Sequence, residues 1–242
     1  MMGGPIGAIL GSVMGSTVSR GMESVAAQNA GPGGAGSIQQ QQMAFALVLT
    51  SLAAKVAKAD GQVTGDEVRA FDHFLQTSLR MSTADRRFAA EVFNRARDSE
   101  TPASEFARQL RAVFRGQTDR LRDVVTILIM VAFADGKLHP AEEALLRSIA
   151  SDMGLSDADY QSCKATFMSS AGISDIDPYE VLGVPSSASD AEVRTAHRRL
   201  VREYHPDVLE SKGLPADFTE FAAKKMSAIN DAWSTVREGR GL

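Results

Sequence analysis

From Met43 to about Ser170 apolar residues return every third or fourth position, the spacing that lines one face of an α-helix. Phe45, Leu49, Leu52 and Val56 form a first stripe, and Val68, Phe71, Leu75 and Leu79 a second. Phe88, Val92 and Phe93 belong to a third, followed by Phe106, Leu110, Val113 and Phe114. The run "LRDVVTILIMVAFA" is apolar almost all round, which predicts a helix buried at the centre of its domain. At about fourteen residues it is shorter than the ~20 needed to span a bilayer, and Arg120, Arg122 and Asp123 lie at its start.

An internal repeat organises this region. The segments "AKADGQVTGDEVRAF" (57–71) and "AFADGKLHPAEEALL" (132–146) align without a gap. Each predicts a helix ending at an Ala-Asp-Gly turn, with Gly61 or Gly136 in the left-handed conformation, and a second helix opening after it. Thr64 and Glu67 fit a capping box, and Pro140 fits the first turn of the second copy. Asp60, Asp66, Glu67, Asp135 and Glu142 are the metal candidates of these acidic turns, but neither copy has the alternate oxygen ligands of a calcium loop, so a structural turn is the favoured reading.

The pattern changes after "AGISDIDP". A short helix, "PYEVLGV", closes on Gly183, and Ser189 with Glu192 fits a second capping box opening a longer helix. There Val193, Ala196, Leu200 and Tyr204 share one face, while Arg194, Arg198 and Arg202 line another with Arg199 beside them. Pro206 disfavours the α conformation at His205, so the helix should end there and an exposed loop follow. A third helix near Ala216 carries Phe218, Ala222, Ile229 and Trp233, placed to pack antiparallel on the second.

At the other end, the first eighteen residues, "MMGGPIGAILGSVMGSTV", hold no charged side chain. Gly3, Gly7, Gly11 and Gly15 recur every fourth position, a smooth strip of the kind that lets helices pack closely in lipid. In water each glycine would cost a helix about 1 kcal/mol relative to Ala, so residues 1–20 read as a membrane anchor; a Gly-rich tail and a cleaved signal are the bland alternatives. The segment "QNAGPGGAGSIQQQQ" has no periodic apolar face, and residues 21–42 read as a flexible linker. A helical domain at 43–172 and a smaller one at 173–242 complete the expected organisation.

Composition agrees with an all-α fold: aromatics are 6%, while Ala, Leu, Glu, Arg and Gln are frequent. A net charge of −4 provides no global basic field, so no nucleic-acid partner is expected. The lone Cys163 cannot form an internal disulfide and is expected to be a buried small residue. No phosphate-cradling G-x-x-x-x-G-K-[ST] loop, G-x-S-x-G elbow or H-E-x-x-H motif occurs, so neither an enzyme nor a cofactor is expected.

Two resemblances add to this reading. The paired "ADG" turns between buried helices look like the TerB-like (tellurite-resistance) fold, whose acidic turns have been linked to metal ions. The stretches "DPYEVLGV", "AEVRTAHRRLVREYHPDV" and "INDAW", in that order, resemble the J-domain of the DnaJ co-chaperone family. With the helical domain before it and the Gly-rich segment at the start, the chain is similar to membrane-anchored members of that family. The resemblance implies that His205, Pro206 and Asp207 engage a DnaK-type chaperone and stimulate its ATP hydrolysis. It also implies that Arg194, Arg198, Arg199 and Arg202 dock on an acidic surface of that partner. An internal control supports the context: Leu138-His139-Pro140 repeats the His-Pro pair, but Ala141 follows it.

His197 stands where the family usually has Tyr, and Glu203 where Lys is common. The Gly/Phe-rich segment and the Cys-x-x-Cys repeats of full DnaJ are absent. The leading expectation is a co-chaperone tethered to the bacterial inner membrane with its domains in the cytoplasm, the glycine strip either pairing two chains or merely inserting. The alternatives are a soluble cytoplasmic protein, and a metal- or stress-responsive TerB-like scaffold with an accessory J-domain.

Overall fold

The computed structural model describes residues 35–61, 63–77, 79, 81–205 and 219–242, and every regular element among them is a helix. In chain order these are α1 (Ala35–Ala57), α2 (Gly65–Thr77), α3 (Thr83–Asp98), α4 (Ala103–Val113) and α5 (Thr118–Ala132). They continue with α6 (Pro140–Asp152), α7 (Asp157–Ser170), α8 (Pro178–Leu182), α9 (Asp190–Glu203) and α10 (Thr219–Arg240). Helix α5 is the hub of a bundle formed by α1–α7, packing against α1, α2, α6 and α7. It is buried on every side, as its nearly unbroken apolar run requires. Helix α1 packs on α3, α4, α5 and α6, placing Leu49, Leu52 and Val56 in the same core.

The two repeat copies form corresponding hairpins, α1 to α2 and α5 to α6. Gly61 (φ 92°) and Gly136 (φ 89°) both take the left-handed turn; a Cβ would meet nothing within 4 Å at either, so backbone conformation rather than space requires glycine there. In the first copy Thr64 N donates to Glu67 Oε2 at 2.7 Å while Glu67 N donates to Thr64 Oγ1 at 3.2 Å, completing the capping box. In the second, Pro140 is the first helical residue and His139 N donates to Glu142 Oε2 at 2.9 Å.

Three expectations need correction. Residues 35–42, assigned to the flexible linker, form the first turns of α1. Glutamine propagates a helix well once the apolar segment behind it has nucleated one. Val68 and Val113 are exposed rather than part of the buried stripes. At the start of α2 the capping Glu67 turns inward instead, and at the end of α4 Leu110 is the buried residue.

Helices α8, α9 and α10 form a second, smaller core of Val181, Leu182, Val193, Leu200, Ile229 and Val236. The contacts Asp190 to Arg240, His197 to Asn230 and Tyr204 to Lys225 run in opposite chain directions, so α9 and α10 are antiparallel. Gly183 ends α8 at φ 68°, and Ser189 caps α9 with Glu192. Arg240 locks the far end of α10, donating to Tyr179 Oη at 2.7 Å, Ala188 O at 2.7 Å and Ser186 O at 2.7 Å.

The hairpin lies on the bundle, with α8 and α10 packed against α7. Each core borrows from the other. Phe221 of α10 belongs to the bundle's core, edge-on to Phe74 at 6.5 Å, and Ala165 of α7 belongs to the hairpin's. Among the described residues no helix is long and apolar enough to cross a membrane. Gly3, Gly7, Gly11 and Gly15 lie outside the described residues.

Candidate partner-docking surface

Helix α9 carries the residues that matter most. Its apolar face, Val193, Ala196, Leu200 and Tyr204, is buried as the spacing predicts. Arg194, Arg198, Arg199 and Arg202 are exposed. Arg198 lies along the helix, its Nε donating to Arg194 O at 3.3 Å, so its charge stays at the surface. Arg199 is set apart: it borders the cleft between hairpin and bundle, opposite Ser162 and Asp159 of α7. The outward face thus belongs to Arg194, Arg198 and Arg202, one helical turn apart.

Between these arginines His197 and Val201 line a shallow apolar hollow that ends at His205. His197 stacks flat on Trp233, with ring centroids 4.7 Å apart and planes 6° from parallel, and its Nε2 lies 3.3 Å from Asn230 Oδ1. It therefore does the packing of an aromatic, and its departure from the family's tyrosine leaves the α9–α10 contact intact. His205 is exposed and follows directly on the end of the helix. Pro206 and Asp207 lie outside the described residues.

Glu203, the other departure, does not face outward. It is buried against the bundle with Oε1 meeting no hydrogen-bond donor. Burial, reinforced by the charges of Asp119 and Asp123 and opposed by Lys225 and Arg122, pushes its carboxyl up to about 7. It leaves the outward arginine face unbroken.

Beside it is a group that sequence reading overlooked. Asp123 of α5, Tyr204 of α9 and Lys225 of α10 are all buried and bonded to one another. Tyr204 Oη donates to Asp123 Oδ1 at 2.9 Å, and Lys225 Nζ donates to Asp123 Oδ1 at 2.9 Å and to Tyr204 Oη at 2.8 Å. The available signal was one carboxylate inside an otherwise apolar run, because such a charge needs a buried partner. Which partner could not be read locally, since Lys225 is 102 positions away.

The acidic turns are brought together only in part. Glu67 and Glu142 are both buried, and their carboxyls face each other across the two hairpins. Burial, and then the neighbouring Glu67, pushes the Glu142 carboxyl up to about 7. Glu67 Oε1 is buried and meets no donor. Asp66 instead pairs with Arg69 at the surface, and Asp135 accepts from Lys137 N at 2.9 Å and approaches His139. Asp60 sits in the first turn. Among the described residues no three His, Cys, Asp or Glu side chains are grouped to hold a metal ion. Cys163 is buried beside Arg122 O, its thiol pushed up to about 11 by burial, as expected of an inert packing residue.

The comparisons with known proteins divide the chain at the same place as its two cores. Residues 46–165 match the family described as Tellurite resistance protein TerB, and residues 177–239 match the DnaJ domain. No solved structure matches the chain. Among curated proteins, the Co-chaperone protein DjlA of Shewanella oneidensis is 31% identical over 87% of this chain and 86% of its own length. That of Vibrio cholerae is 30% identical over 86% of this chain and 83% of its own length. That of Photobacterium profundum is 29% identical over 100% of this chain and 95% of its own length. A TerB bundle carrying a J-domain hairpin, with a relative 31% identical over 87% of the chain, shows that the chain belongs to the DjlA family of co-chaperones.

Proposed function

We propose that the chain recruits a DnaK-type ATPase to the outward face of α9 and stimulates its ATP hydrolysis through His205, Pro206 and Asp207. The J-domain and the DjlA relatives support a co-chaperone function toward such a partner. The observation that carries the residue assignment is the exposed row of Arg194, Arg198 and Arg202 leading to His205 on a rigid, capped helix. Charge on a fixed helix steers encounter with an acidic surface, and the proline at 206 in the sequence restricts the residue before it, which lowers the entropy lost on binding. The chain itself hydrolyses nothing on this reading.

The test is steady-state ATP hydrolysis by a DnaK-type partner titrated with the full chain, beside His205→Gln and Asp207→Asn. Wild type should stimulate and both variants should lose the stimulation. A folded wild type without effect would sink the assignment.

We place residues 1–20 in the bacterial inner membrane and the domains in the cytoplasm, with the glycine strip pairing two chains. The spacing of Gly3, Gly7, Gly11 and Gly15 supports this reading. Crosslinking in membranes should give a markedly lower dimer yield for Gly7→Leu with Gly11→Leu than for wild type. An unchanged yield would count against pairing, and recovery of the chain from the soluble fraction would count against the anchor.

A further inference from the structure

We propose that Asp123, a residue of the TerB-like bundle, is a positioning residue for the J-domain, holding the end of α9 so that the basic face and His205 are presented as one body with the bundle. The inference rests on the co-chaperone reading above, but it assigns to the bundle a role in the partner's stimulation.

The argument starts from donor and acceptor counting. Lys225 Nζ has three protons and finds three acceptors: Asp123 Oδ1 at 2.9 Å, Tyr204 Oη at 2.8 Å and Thr126 Oγ1 at 3.4 Å. Tyr204 Oη accepts from Lys225 and passes its own proton to Asp123 Oδ1. Thr126 Oγ1 donates onward to Arg122 O at 2.9 Å. Two of these residues belong to α5 of the bundle and two to the hairpin, so the network has no complete half. The ammonium also lies 4.6 Å from the Tyr204 ring centre and 5.4 Å from that of Phe221, which seats in the bundle's core.

Tyr204 is the residue directly before His205, so whatever fixes its hydroxyl fixes the backbone that carries His205. With Asp123 removed, Lys225 is left as a buried charge without its counter-ion, and the end of α9 loses its anchor. The buried Glu203 and the cleft-facing Arg199 sit on the same side of α9. The outward row of Arg194, Arg198 and Arg202 is left open. Docking on the bundle and docking of the partner therefore use different sides of one helix.

The experiment titrates the full chain against a DnaK-type ATPase and separates half-stimulating concentration from maximal stimulation. Asp123→Leu should raise the half-stimulating concentration about tenfold at an almost unchanged maximum, because a loosened end of α9 must be ordered on binding. Asp123→Asn keeps a carbonyl acceptor and should recover most of the loss. Tyr204→Phe keeps the ring and should raise the half-stimulating concentration about threefold, which tests the idea even if Asp123→Leu does not fold. Amide exchange should accelerate at residues 200–205 in Asp123→Leu while α3 stays protected. Loss of folded molecules would itself raise the half-stimulating concentration, in proportion to the unfolded fraction, so circular dichroism fixes that fraction for each variant. A rise no larger than it accounts for, or a lowered maximum at unchanged half-stimulating concentration, would overturn the positioning role. So would variants that match wild type while His205→Gln abolishes stimulation, an outcome that leaves the co-chaperone reading standing. Failure of wild type itself to stimulate sinks both.

Discussion

At the scale of single residues, the carboxyls pushed upward are the buried Glu142 and Glu203. Glu142 faces Glu67 inside the bundle, and both serve as the third residue of a helix cap. A raised carboxyl pKa means that the folded state holds its proton more tightly than the unfolded chain. Its stabilising contribution is complete below the ordinary Glu value of 4.5 and is lost as pH rises through about 7. Glu203 acts in the same sense at the domain contact. Asp159 and Glu143, whose carboxyls Ser156 and Lys164 hold low, act in the opposite sense, losing their stabilising effect only at more acidic pH. Thermal stability should therefore be higher at pH 5.5 than at pH 8, and Glu142→Gln should flatten that slope. An unaltered slope in the variant would remove the pair as its source.

At the scale of elements, several helices are bounded by chemistry visible in the sequence, yet neighbours decide what each boundary costs to change. Gly172 and Gly183 both take a left-handed φ, 76° and 68°, and both resist a side chain for that reason. They differ in surroundings. A Cβ at Gly183 would approach Ser162 Oγ to 3.3 Å, whereas at Gly172 it would meet nothing within 4 Å. Gly172→Ala should cost about 1 kcal/mol from backbone strain, and Gly183→Ala more, because α8 must shift away from α7. Chemical denaturation of the two variants checks the order; equal losses would show that the contact with α7 yields freely.

At the scale of the whole molecule, two sequence domains share one folded body among the described residues. Phe221 completes the bundle's core, Ala165 completes the hairpin's, and a buried ionic network crosses between them. Such coupling predicts a single cooperative unfolding transition, which Asp123→Leu should split in two as the hairpin loosens first. Two transitions in wild type would show that the contact is weaker than its burial suggests. The outward arginines are exposed and solvated, so added salt should weaken partner docking strongly while changing the unfolding temperature little.

Periodicity, turn glycines and capping residues are local properties, and they alone specified the helices, the repeated hairpin, the inward face of α9 and the basic row before His205. The helix start at Ala35 was missed because propagation from a nucleated segment does not depend on an apolar stripe. Tertiary structure decided the rest, through contacts between residues distant along the chain. Glu67 and Glu142, two turn residues on the page, become a facing buried pair only when the hairpins pack. Glu203 changes from an interruption of a charged face into a buried group at a domain contact. Asp123 finds Tyr204 and Lys225 only in three dimensions, since a buried charge announces that it needs a partner but not where the partner lies.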